Sequence, residues 1–226
     1  MKRVITVLLA VLLVLSLAAC GSGVETKKLA GTWTCTVDVT DRMNAAAEQA
    51  LGLSAADGTA QMPLQLVLTV TEDGAYTLRY DSGAVRTALD AYAAALRPAA
   101  VESVYAAAEE QGLSREEYDA AMEKAGITMD DMVAAIFAGV DEEELLSLLT
   151  GRSAALTGYC RAESGQLYLA DTAAELAETA DCLSYTLSDG TMTWTDAQGE
   201  LSSQLTEQEQ ELLRVPLTWT KQEESK

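Results

Sequence analysis

From Leu29 to Val39 apolar and polar positions alternate. Trp33, Cys35, Val37 and Val39 fall on one face, and Thr34, Thr36 and Asp38 on the other. A period of two marks a half-buried strand. The same pattern predicts strands over 64–71 and 75–80, joined by Glu72-Asp73-Gly74, a turn with its glycine in place. Strands over 157–161 and 166–169 then flank Glu163-Ser164-Gly165, and strands over 183–187 and 191–194 flank Ser188-Asp189-Gly190. A last strand over 215–220 carries Pro216, which suits only a strand start or an edge. Roughly eight strands in hairpin order is the number an up-and-down antiparallel barrel, or a strongly curved sheet, uses.

Between the third and fourth strands the period changes. Val85, Leu89, Tyr92 and Leu96 form a helical stripe, and Pro98 predicts a break or the first turn of a further helix. Ser114 and Glu117 have the spacing of a capping box, with Leu113 and Tyr118 placed as a hydrophobic staple. The device recurs at Thr128 with Asp131, and at Asp141 with Glu144. Gly112, Gly126 and Gly139 stand where helices end in a left-handed residue. The expectation is a bundle of short helices inserted over 84–151 and separable from the sheet, with further short helices over 41–51 and 206–213. The fold class is α+β.

The chain opens differently. Lys2 and Arg3 precede Val4 to Ala19, an apolar run broken only by Thr6 and Ser16 and shorter than the roughly 20 residues of a spanning helix. This is the form of an export signal. Leu17-Ala18-Ala19-Cys20 resembles the lipobox of bacterial lipoproteins. That resemblance implies cleavage before Cys20, a diacylglyceryl group on its sulfur and an acyl chain such as palmitate on its amine, enough for stable anchoring. The implied organisation is a signal peptide over 1–19, a lipidated Cys20 with a flexible tether over 20–28, a domain over 29–222 and a tail over 223–226. The implied address is the cell membrane, lipid-anchored, facing out of the cytoplasm. Gly31-x-Trp33 resembles the G-x-W of lipocalins, in which the tryptophan packs one end of the barrel; the resemblance implies that place for Trp33. The helical insertion departs from that family.

Composition narrows the chemistry. The formal net charge is -20, from 35 acidic and 15 basic residues. Such a field repels nucleic acid and attracts basic proteins. No histidine is present, which removes the commonest general base and the commonest metal ligand. Beyond Cys20 the cysteines are Cys35, Cys160 and Cys182, without zinc spacing. If a disulfide forms within the chain, the expected pair is Cys35 with Cys160, both toward one end of an up-and-down barrel. Asp130-Asp131 and Asp141 to Glu144 sit in predicted first turns, where carboxylates complement the helix dipole rather than form a calcium loop. Met122, Met129 and Met132 read as gap-filling core. Tyr76, Tyr80, Tyr159, Tyr168, Tyr185, Trp194 and Trp219 read as barrel wall or core.

No nucleophile elbow, P-loop or dinucleotide fingerprint occurs. No catalytic residue, cofactor or metal is expected, and the chain reads as non-enzymatic. The expected function is a tethered barrel that binds a small apolar or amphipathic ligand; the alternative is an envelope interaction or structural protein with a filled barrel that meets a basic protein partner through its acidic or helical surface. Interior volume separates them.

Overall fold

A computed structural model describes residues 25–53, 60–137, 147, 155–177, 182–198 and 213–223. Its strands are β1 (Gly31–Asp38), β2 (Pro63–Val70), β3 (Ala75–Tyr80), β4 (Leu156–Glu163), β5 (Gln166–Ala170), β6 (Cys182–Ser188), β7 (Thr191–Gln198) and β8 (Leu217–Lys221). They close into an antiparallel up-and-down barrel in chain order. Closure is made by β1 against β8, with Trp33 opposite Lys221 and Thr34 opposite Thr220. Every strand read from alternation is present. β7 runs on to Gln198, past the last alternating aromatic at Trp194.

The hairpins follow from their turn residues. Ser164-Gly165 and Asp189-Gly190 have positive φ at both positions (54° and 76°, 44° and 75°). That is the two-residue turn whose twist matches the strands it joins. Gly74, at φ 88°, is required twice over, because a Cβ there would lie 2.4 Å from the Cys160 carbonyl oxygen.

The described residues fall into two compact units. One holds those up to Cys35, Leu66–Tyr80 and those from 155 on; the other holds those in Thr36–Gln65 and Asp81–Ser153. The second unit contains the helices α1 (Thr40–Leu51), α2 (Ser82–Glu110), α3 (Arg115–Ala125) and α4 (Met129–Phe137). A core cluster of Leu53, Ala100 and Val133 ties the segment after α1 to α2 and α4, with Met129, Ile136 and Phe137 packed against it. Tyr92 adds a hydrogen bond from its hydroxyl to Asn44 Oδ1, 2.8 Å.

The expected bundle of short helices is corrected on one point. α2 is 29 residues long and passes through Pro98 without ending. A helical proline costs the bond to the carbonyl four residues earlier. Here that residue, Ala94, is exposed and its carbonyl can bond water. The buried line of α2 runs through Val85, Ala88, Tyr92, Leu96 and Ala100, so Ala88 takes the place expected of Leu89. The helix also starts earlier than residue 84, because Asp81 caps it by accepting from the Ala84 amide, 2.9 Å. Both described capping boxes form. Ser114 and Glu117 exchange both bonds, and Thr128 and Asp131 do the same, at 2.8 and 3.1 Å. Leu113 stays 38% exposed. The third box, at Asp141, lies outside the described residues, as does the helix expected over 206–213 except for Leu213, which is in a turn.

Candidate functional site

The interior of the barrel is the first place to look for function. Cross-strand rows line it: Leu68 opposite Leu78 and Leu78 opposite Leu156, then Val70 opposite Tyr76 and Tyr76 opposite Gly158. Cys160 faces Leu169, and Ala162 faces Leu167. On the far side Met192 pairs with Trp219, and Trp194 with Leu217. β4 contributes small residues where its neighbours contribute large ones. A Cβ on Gly158 would fall 2.9 Å from Tyr76 Cε1 and 2.5 Å from the Ala170 carbonyl oxygen. Trp194 and Trp219 stack at 4.8 Å between ring centroids. Met192 and Trp219 are fully buried.

A small space is left among the described residues. A cavity of about 30 Å³ lies among Leu68, Leu78, Leu156, Leu167, Trp194 and their neighbours, with Cys160 and Leu213 also on its wall. That is room for one or two water molecules, where sites for small ligands run to roughly 300–1,000 Å³. Its wall is apolar. The indole N–H groups of Trp194 and Trp219 are buried and find no acceptor among the described residues.

The start of β1 is tied to the segment that precedes it. Trp33 Nε1 donates to the Leu29 carbonyl at 2.7 Å, and Lys221 Nζ stands 5.3 Å from the Trp33 ring centroid. The Ala162 amide donates to Thr26 Oγ1 at 3.0 Å. Thr26 and Leu29 are buried on a helical segment over 25–29. The tether expected over 20–28 is therefore corrected in its last residues: 25–28 are helical and tied to the barrel. The signal was present in the sequence as Thr26 and Leu29, three apart and bracketing two lysines. A second missed device is the reciprocal cap of Thr172 and Glu175, whose two bonds are 3.2 and 3.3 Å.

Cys35, Cys160 and Cys182 are buried thiols, so the expected Cys35–Cys160 bridge is not made. Two strands separate β1 from β4 in the barrel. Burial pushes the Cys160 thiol up to about 12. Burial also raises Cys35, against a hydrogen bond from the Thr218 backbone that lowers it. Cys182 Sγ donates to Gln166 Oε1 at 3.2 Å. Cys35 and Cys160, both raised by burial, are not nucleophiles at neutral pH.

Several carboxylates of the helices are engaged by arginines, a tyrosine hydroxyl or a helix cap. Arg115 bonds Glu102 at 2.8 Å and Glu109 at 3.2 Å while lying 4.7 Å over the Tyr105 ring. Asp119 accepts from the Tyr105 hydroxyl at 3.0 Å. Asp130 pairs with Arg97, and Asp131 is engaged in its cap. No group of three or more potential metal ligands converges among the described residues. Glu110, Glu116 and Glu123 are exposed. Of the aromatic positions, Tyr76, Trp194 and Trp219 are core, and Tyr80, Tyr159, Tyr168 and Tyr185 are half-buried. Tyr168 lies beneath the Arg161 guanidinium at 4.3 Å.

No helix among the described residues is long and apolar enough to cross a membrane. No family model matches the chain, and searches of curated proteins and of solved structures return no match.

Proposed function

We propose that this is a non-enzymatic envelope protein, anchored by lipid on Cys20. Its filled barrel serves as a rigid scaffold, and its acidic helical surface meets a basic protein partner. The observation that carries the reading is the packing of tryptophans, leucines and Met192 in the described barrel interior, where a cavity of about 30 Å³ lies. The charge supports the second half: 35 acidic against 15 basic residues favour a cationic partner. The test is association with a basic model peptide, read by fluorescence anisotropy. Binding should weaken steeply with salt and weaken further in the triple variant Glu110→Gln, Glu116→Gln, Glu123→Gln. Binding that ignores both salt and those substitutions would sink the reading.

A second reading is favoured by one specific observation. Two buried indole donors that find no acceptor among the described residues, with Trp194 on the wall of an apolar cavity, are groups that a hydrogen-bond acceptor on a small amphipathic ligand could engage. It requires the interior to open well beyond its present volume.

A further inference from the structure

We propose that the anchored protein sits on the bilayer by the hairpin-turn end of its barrel, with Lys27, Lys28 and Lys221 at the headgroups. This rests on the reading of Cys20 as the lipidated residue and adds a direction to it.

An up-and-down barrel sorts its connections by end. The tight turns at Gly74, Ser164-Gly165 and Asp189-Gly190 lie at one end. β1, β3, β5 and β7 all finish at the other. The chain just after Cys20 is fixed to the first end. Thr26 bonds the Ala162 amide, and its methyl lies 3.4 Å from where a Cβ on Gly74 would be. Leu29 and Trp33 are buried at the same end, joined by their hydrogen bond, and Lys221, opposite Trp33, donates from its amide to the Gly190 carbonyl, 2.8 Å.

Thr26 is six residue steps after Cys20, so a fully extended tether reaches only about 20 Å. An eight-residue strand such as β1 is about 26 Å long. A tether of that reach brings the hairpin end to the membrane and leaves the opposite end away from it. The exposed side chains agree locally. Lys27 and Lys28 follow the tether directly, and Lys221 pairs with Trp33 at the same end, in a chain whose charge is otherwise strongly negative. Glu72, Asp73 and Asp189 in the turns oppose them. The acyl chains therefore supply the affinity, and the lysines set the local fit to the headgroups.

The test places a fluorophore on a single introduced cysteine at Asp73, Asp189 or Asp171 of the full acylated protein, the native thiols being buried. The protein is reconstituted into phosphatidylcholine–phosphatidylglycerol vesicles that carry a headgroup spin-label quencher, and its acyl mass is verified by mass spectrometry. Labels at Asp73 and Asp189 should lose most of their emission, and the label at Asp171 should lose none. Equal quenching at all positions, or strongest quenching at Asp171, in protein that carries its acyl chains overturns the orientation and leaves the anchor standing. A chain without acyl mass overturns the anchor, and the orientation with it.

Discussion

Gly158 has no side chain because its neighbours already occupy the space. A Cβ would overlap the Tyr76 ring edge and the Ala170 carbonyl, and neither can withdraw from a closed barrel without moving a strand. Gly158→Ala is expected to cost about 1–3 kcal/mol, measured by chemical denaturation, as overpacking of a filled core does. The thiols give a second expectation at this scale. Cys35, Cys160 and Cys182 are at most 5% exposed, and burial holds Cys160 near 12. Alkylation at pH 8 should leave all three unmodified until denaturant is added. Rapid modification of Cys160 in native protein would contradict the packing. Neither feature was legible in the sequence. Glycine in a strand announces close approach but not to what, and thiol burial depends on which strands become neighbours.

At the scale of elements, the strands were readable because each alternates and each hairpin carries its glycine where positive φ is needed. Helix starts were readable for a similar reason, since Ser114 with Glu117 and Thr128 with Asp131 are complete local devices. The length of α2 was not. Pro98 is a strong stop signal in sequence, and only its exposed setting makes it tolerable. The caps also titrate. Hydrogen bonds from the Ser114 backbone and side chain hold Glu117 below the usual carboxylate range, and those of Thr128 do the same for Asp131. Each folded value is depressed below its unfolded value. The stabilisation is therefore present above the ordinary carboxylate range, near about 4, and lost as pH falls through the lower folded values. Helix content by circular dichroism should melt at a lower temperature in acid, and Glu117→Gln should flatten that dependence while keeping the cap. A melting point that rises on acidification would show that the caps do not govern the insert.

At the scale of the whole molecule, the fold class was legible, but the division into units was not. The sequence marks 84–151 as an insertion, yet the helical unit also takes in Thr36–Gln65. Its core needs Leu53 from the first segment against Ala100 and Val133 from the second. Replacing Ala84–Thr150 with a short Gly/Ser loop should leave a β signal in circular dichroism but a less stable protein. Leu53 alone forfeits about 1.5–3 kcal/mol of burial. Complete loss of the β signal would show that the barrel cannot stand without the helices.

The claim on which the functional account depends is that the barrel is filled by its own side chains. Native mass spectrometry of the protein purified from its own membrane tests this most directly. The account expects the mass of the acylated chain alone. A small molecule retained at one per chain and released on unfolding would contradict it, and would place the two unpartnered indoles of Trp194 and Trp219 in a ligand site.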